Sequence, residues 1–418
     1  TDNNGNTATC GANVEVEDNI PPTVSCQDVT VQLDALGDGS TTTGAVHNTS
    51  ADACGISSTV LSTTDFTCGE VGSNPVTLTV TDNNGNTATC GANVEVEDNV
   101  VPTVSCQDVT VQLDASGNGS TTAVAINNGS ADACGISTMV LSKTDFTCDD
   151  VGSNPVTLTV TDNNGNTATC GANVEVEDNV PPTATCQDVT VQLDASGDGS
   201  TTAVAINNGS ADACGISTMV LSKTDFTCSE VGSNPVTLTV TDNNGNIAIC
   251  GANVEVEDNV VPTVSCNNVT IQLDILGNGS TSTGAVHNTS ADACGIASTI
   301  LSKTDFTCTD VGSNPVTLTV TDNNGNTATC DANVEVEDNV VPTVSCQDVT
   351  VQLDASGNGA TSAVAVNINS ADACGIFTMI LSTTGFTCGE VGSNPVTLTV
   401  TDNNGNTATC GANVEVED

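Results

Sequence analysis

The chain has 418 residues, with 51 acidic side chains against three lysines and no arginine, and a formal net charge of −48. Such a polyanion has no cations to neutralise nucleic-acid phosphates and is repelled by an anionic membrane surface, which excludes both as partners. No apolar run reaches the ~18 to 20 residues of a membrane helix, and the 21 cysteines point to an oxidising compartment, extracellular, at the cell surface or secreted.

The hexapeptide Thr-Asp-Asn-Asn-Gly-Asn starts at Thr1, Thr81, Thr161, Thr241, Thr321 and Thr401, a period of 80 residues. A fixed period of this length marks an array of small domains rather than one large core. The sequence opens in mid-pattern with neither initiator methionine nor signal peptide, and reads as a segment of something longer. Asp-Asn-Ile-Pro-Pro at residues 18–22, with copies starting at Asp98, Asp178, Asp258 and Asp338, reads as a linker. Proline there removes amide donors and holds the preceding residue extended. The expected division is residues 1–18 as the last strand of a preceding repeat, then domains at 19–98, 99–178, 179–258, 259–338 and 339–418.

Within the first period, Val29, Val31 and Leu33 alternate with Thr30, Gln32 and Asp34, the pattern of a half-buried strand. Gly37-Asp38-Gly39 is a turn, leading to an expected strand near 41–46. Val76, Leu78 and Val80 alternate with Thr77, Thr79 and Thr81 in the same way. Asn83-Asn84-Gly85-Asn86 supplies the Asn-Gly pair of a tight hairpin, and Val94 and Val96 alternate with Glu95 and Glu97 beyond it. No segment has a helical period. Six or seven short strands in about 80 residues predict an all-β fold of tandem immunoglobulin-like, two-sheet antiparallel sandwiches forming an elongated rod or filament. At ~3.3 Å per strand residue, five domains give a rod near 200 Å.

Pro-Thr-Val-Ser-Cys at 22–26, Asp-Val-Thr-Val-Gln-Leu-Asp at 28–34, Ala-Asp-Ala-Cys-Gly at 51–55 and Val-Thr-Leu-Thr-Val-Thr-Asp-Asn-Asn-Gly-Asn at 76–86 carry a family resemblance. Together they resemble the hyalin-repeat (HYR) domain, an immunoglobulin-like module found in tandem in extracellular adhesive proteins, including large surface proteins of marine Bacteroidetes. The resemblance covers all five periods and implies a stalk.

Successive cysteines lie 16, 28, 14 and 22 residues apart, with no Cys-x-x-Cys pair, and histidine occurs only as His47 and His287. This argues against zinc or iron–sulfur sites and for two structural disulfides per domain. Four cysteines allow three connectivities. In an immunoglobulin topology the first and last strands start at the same end, which favours Cys26–Cys90 and leaves Cys54–Cys68. The expected set continues as Cys106–Cys170, Cys134–Cys148, Cys186–Cys250, Cys214–Cys228, Cys266–Cys330, Cys294–Cys308, Cys346–Cys410 and Cys374–Cys388, with Cys10 left for an upstream partner.

Many of the carboxylates are solvated coat, but some positions are identical in every internal copy. In a sandwich, the linker Glu97-Asp98-Asn99 meets the loop holding Asp132 and the hairpin holding Asp162 at one end of the next domain. Converging carboxylates repel unless neutralised, and a donor set of oxygens alone suits calcium. The linker is also similar to the Asp-Asn-x-Pro segment between cadherin domains, though without the fuller acidic motif before it. The candidate ligands are Glu17, Asp18, Asn19, Asp52 and Asp82 at the first junction and Glu97, Asp98, Asn99, Asp132 and Asp162 at the second. Glu177, Asp178, Asn179, Asp212 and Asp242 form the third set, and Glu257, Asp258, Asn259, Asp292 and Asp322 the fourth. Glu337, Asp338, Asn339, Asp372 and Asp402 complete the series. Asp34 and Asp38 read as a turn, and His47 and His287 as surface residues.

No serine has a histidine partner common to all repeats, so no catalytic site is expected. The absence of tyrosine and tryptophan removes the usual platforms for stacking sugars. The expected function is structural: the shaft of a cell-surface filament or giant adhesin, stapled by disulfides and stiffened by calcium, with further copies of the repeat as partners. The rival readings are adhesive repeats that bind glycan, ice or matrix, and the spacer of a large secreted enzyme.

Overall fold

Valine alternating with threonine builds a four-stranded sheet in each repeat, as a computed structural model describing all 418 residues shows. In the first repeat the elements are β1 (Thr23–Cys26), β2 (Val29–Gln32), β3 (Asp38–Ser40), α1 (Thr43–Val46), β4 (His47–Ala51), β5 (Ile56–Leu61), β6 (Asp65–Thr67), a 3-10 turn (Cys68–Glu70), β7 (Gly72–Asp82) and β8 (Thr87–Glu97). The main sheet has the order β2-β8-β7-β5. Strands β7 and β8 form an antiparallel hairpin, and β5 runs antiparallel to β7. The sheet is mixed rather than wholly antiparallel, because β2 lies parallel to β8. Two short ribbons, β1 with β4 and β3 with β6, stand apart from it. The inward residues of the main sheet, Val76, Leu78, Val80, Val94 and Val96, share one core with Leu33, Val46 and Phe66. The unit is therefore sandwich-like.

By its contacts the chain divides into two compact units. One comprises Thr1–Ala184, Ser210–Met219 and Val240–Ala248; the other comprises Thr185–Gly209, Val220–Thr239 and Ile249–Asp418. The first unit holds the first two repeats, whose second core centres on Ile126, Phe146, Leu158 and Val174. The second unit holds the last two, with equivalent cores around Phe306 and Leu318 and around Phe386 and Leu398. The third repeat contributes to both.

Two local expectations change. Residues 43–46 make one helical turn instead of a strand, capped by the Thr42 hydroxyl accepting the Ala45 amide at 3.3 Å. A single turn is too short to leave a helical period in the sequence. His47 and its counterpart His287 are half-buried rather than on the surface, because each pairs opposite a bonded cysteine, Cys26 and Cys266, in a short ribbon.

The disulfides depart further from expectation. Five close a repeat on itself: Cys26–Cys90, Cys106–Cys170, Cys186–Cys250, Cys266–Cys330 and Cys346–Cys410. The other four join one repeat to the next: Cys68–Cys134, Cys148–Cys214, Cys228–Cys294 and Cys308–Cys374, with Cα atoms 5.0 to 5.1 Å apart. These bonds replace the expected Cys54–Cys68, Cys134–Cys148, Cys214–Cys228, Cys294–Cys308 and Cys374–Cys388. The reason is β5. Its six residues run ~20 Å between the loop of Cys54 and the turn of Cys68. A disulfide tolerates only about 4.4 to 6.8 Å between Cα atoms. Cys54 is thus held at one pole of its repeat and Cys68 at the other, where the following repeat begins. Cys10, Cys54 and Cys388 are free and exposed.

Gly37 makes the junction bond possible. Its φ of +79° is a conformation that L side chains rarely adopt. A Cβ there would also lie 2.5 Å from the Cys68 sulphur and 3.2 Å from Ala133 of the next repeat.

Residues 1–18 and 401–418 are identical in sequence. In the second copy Thr407–Glu417 is a strand with Val414 and Val416 at 0% and 1% exposure. In the first, no strand forms, and Val14 and Val16 are 84% and 89% exposed. Thr407–Glu417 is held between Gly392–Asp402 and Val349–Gln352 in its sheet.

Candidate functional site

Each junction buries a carboxylate oxygen that nothing satisfies. Asp98, in the linker between the first two repeats, is 6% exposed. Its Oδ1 accepts the Val100 amide at 3.1 Å, while its Oδ2 is buried without a hydrogen-bond partner. Asp178, Asp258 and Asp338 repeat this arrangement. A buried, unpaired carboxylate oxygen is costly, so its recurrence calls for a physical partner.

The residues around Asp98 come from three segments. From the loop after the ribbon, Asp132 accepts the Cys134 amide at 2.8 Å. One carboxylate oxygen each from Asp98 and Asp132, and the Cys134 sulphur, lie within 4.8 Å of one another. That sulphur is bonded to Cys68, so it forms a wall rather than a thiolate ligand. From the hairpin, buried Asp162 accepts the amides of Asn164 at 2.9 Å and Asn166 at 2.8 Å, and the Asn166 side chain at 2.9 Å. The same Asn166 side chain donates to the Asp98 carbonyl at 2.9 Å, and the Asn163 side chain donates to the Cys134 carbonyl at 2.8 Å. Linker, loop and hairpin are therefore laced together.

The same grouping recurs with Asp178 and Asp212, with Asp258 and Asp292, and with Asp338 and Asp372; Asp18 and Asp52 make its first copy. Glu97 and Asn99 do not join it. Both turn back onto the preceding repeat, where Gln32 donates to Glu97 at 2.7 Å and Asn99 donates to Gln32 at 2.7 Å. Glu177 with Asn179, Glu257 with Asn259 and Glu337 with Asn339 do likewise. Glu17 and Asn19 are exposed. Their strand period explains the outcome: Glu97 and Asp98 point to opposite faces, and only one can enter the junction.

The electrostatics agree with the geometry. Burial pushes the Asp338 carboxyl above its ordinary value against the opposing Val340 amide, and the charges of Asp372 and Asp402 push it further. In the first copy the Cys54 thiol is raised, first by its hydrogen bond to Asp18 and that residue's charge, then by burial, Asp52 and Asp82. Three carboxylates thus face one another with no cation of the chain between them. The unbonded donors at Asp98 and Asp132 are oxygens, a chemistry that fits calcium.

Asp82, Asp162, Asp242 and Asp322 shift the other way. Burial raises each, but the side chain of Asn86, Asn166, Asn246 or Asn326 and the amides of the same hairpin outweigh it and hold the carboxyl below its ordinary value. A lowered folded pKa contributes stability that is present above the unfolded value and lost as pH falls through the folded one. Melting temperature should therefore hold down to about pH 4 and drop below it. A thermal-melt series from neutral pH into acid checks this; a profile that stays flat throughout removes these carboxylates from the account.

The HYR domain family matches residues 17–96. Over an alignment of 440 residues, covering 97% of this chain, the sequence is 32% identical to hyalin of Strongylocentrotus purpuratus, of which it spans 36%. Among solved structures it is similar to the protocadherin GammaB4 extracellular domain, at 14% identity and TM-score 0.28 over 86% of this chain and 77% of that one. It is also similar to Sidekick-1 immunoglobulin domains 1–5, at 8% identity and TM-score 0.27 over 86% and 91%. These two likenesses are too distant to carry an argument. The matched segment recurs every 80 residues with the same strands and the same cysteines, and the chain is accordingly a tandem array of HYR domains.

Proposed function

We propose that the array is the extracellular, non-catalytic shaft of a cell-surface filament or giant adhesin, and that calcium stiffens its junctions. The observation supporting this reading is the orphaned oxygen of Asp98 and its copies, set beside a disulfide that already ties the two repeats. Asp98 and Asp132 would hold the ion, with the charge of Asp162 behind them, and its contribution is charge neutralisation. The chain's own residues do the rest. Asn166 fixes the hairpin to the linker, Asn163 fixes it to the loop, and the Cys68–Cys134 bond keeps the loop against the preceding repeat. Apart from an ion, the three carboxylates repel and loosen the contact; with one, they draw the segments together. Extracellular modules bind calcium at about 10⁻⁴ to 10⁻³ M, within the range of external fluids.

The test is small-angle scattering of dilute protein with calcium and with excess chelator. Calcium should lengthen the maximum dimension, and Asp98→Asn with its three equivalents should abolish the response. Superimposable profiles for the unaltered protein would overturn the proposal.

A further inference from the structure

The outward face of the main sheet has a charge-free end: in the first repeat its two carboxylates, Glu95 and Glu97, sit together beside Thr30 and Gln32 of β2, away from the rows that join β5, β7 and the start of β8. In the first repeat, Ser58, Thr81 and Thr87 stand in one row across β5, β7 and β8, and Val60, Thr79 and Thr89 in the next. A third row brings Thr77 beside Gly91, with the Ser62 hydroxyl accepting the Thr77 amide at 3.0 Å. None of these side chains is charged. The second and fifth repeats have the same register with the same character. The fourth departs from it once, with Asp331 in place of the glycine, tied to Thr317 at 2.8 Å.

Two further observations give the face a direction. Its edge strand, β5 and the equivalent strands, carries an exposed branched aliphatic in every copy: Val60, Val140 and Val220 at 60%, Ile300 at 64% and Ile380 at 61%. In the third repeat, Ile247 and Ile249 replace the threonines of positions 87 and 89 and stand 58% and 67% exposed. At these two positions variation among the copies moves between hydroxyl and methyl. Elsewhere it moves between carboxylate and amide, as at Asp38 and Asn118.

We propose that this face docks a second copy of the chain, sheet against sheet. The proposal rests on the structural reading above and names the surface it would use. A copy carries the same −48 charge, so it is repelled wherever carboxylates meet and can approach only where they are missing. Hydroxyls both donate and accept, which makes rows of serine and threonine complementary to themselves across a two-fold axis. The aliphatic residues of the edge strand gain by leaving water. Area then sets the terms. Three strands at ~4.8 Å spacing and five residues at ~3.4 Å give about 250 Å² per repeat. A stable interface needs about 800 Å² on each partner. More than three repeats must therefore engage together, and association should depend steeply on repeat number.

Sedimentation of the whole chain tests this, using two charge-matched variants. One places Glu at Thr159, Thr239 and Thr399, on the face. The other places Glu at Val124, Val204 and Val364, which are 73 to 74% exposed on the helical turn of the opposite layer. The unaltered chain should self-associate, the face variant should weaken it by about tenfold or more, and the control should behave as unaltered protein. A gentler set, Val140→Thr, Val220→Thr and Ile380→Thr, should give an intermediate loss with unchanged melting. A chain monomeric up to about 0.1 mM, or equal losses in both charged variants, would overturn the proposal. Loss on chelation alone, with the face variant unaffected, would also overturn it and leave the calcium reading standing. The scattering test is run below the association range, so either idea can fail by itself.

Discussion

Serine at both Cys106 and Cys170 should make the second repeat melt well before its neighbours. The bond closes residues 64 apart, and the chain-entropy estimate for such a loop is about 4 kcal/mol. A domain of this size has roughly 4 to 12 kcal/mol of stability in all. Little else offsets the loss. The core has one phenylalanine, Phe146, and is otherwise built mainly of valine, leucine, isoleucine and alanine, with Cys106 and Cys170 packed directly against it. Cys170 faces Leu158 across the hairpin, so serine also brings a hydroxyl into apolar surroundings. Calorimetry should show a separate low-temperature transition in the variant, carrying about a fifth of the unfolding heat expected from residue number. An unchanged single transition would mean that the bond contributes little.

Serine at Cys68 and Cys134 should give a different result from a loop of nearly the same length, 66 residues. The first repeat keeps its Cys26–Cys90 bond and the second its Cys106–Cys170 bond, so both remain folded. What they lose is their covalent contact beside Asp98. About 4 kcal/mol of loop restraint disappears from the pair, and the junction must then depend on the linker, the asparagine clamps and the cation. In chelator, scattering should report a more flexible junction than in the unaltered chain, with calcium restoring part of the difference. Peptide mapping of the unaltered protein gives an independent check. Recovery of Cys54 joined to Cys68, or of Cys134 joined to Cys148, would overturn the inter-repeat pairing.

Alternation made the sheet legible from sequence. Val76, Leu78 and Val80 lie inside because every second residue of a strand shares a face, and no tertiary information is needed to see it. The meeting of linker, loop and hairpin around Asp98 and Asp132 was also legible, because a sandwich brings them to one pole, whereas Glu97 and Asn99 turn back onto Gln32. The pairing of Cys68 was not. Its nearest cysteine in sequence is Cys54, and only the direction of β5 separates them in space. A short sequence distance misled where a strand intervened. The roles of Asn163 and Asn166 escaped notice for another reason: Asn-Asn-Gly-Asn reads as a turn, and a turn accounts for its asparagines before any clamp is considered. Residues 1–18 were not legible in this way, because the same letters make a buried strand at 401–418, paired along Gly392–Asp402, and an exposed segment at 1–18.

The two kinds of disulfide interlock along the chain. The ring closed by Cys26 and Cys90 overlaps the ring closed by Cys68 and Cys134, and the overlap continues through successive bonds to Cys346 and Cys410. Every peptide bond between Cys26 and Cys410 is consequently bypassed by at least one sulphur bridge. A protease that cuts one exposed linker opens a ring without parting the polymer, and the severed ends stay tethered through the bond that spans them. The pairing read from the sequence would have left each linker as a lone covalent thread. Between Cys26 and Cys410, two independent breaks are needed before any length of the array is lost.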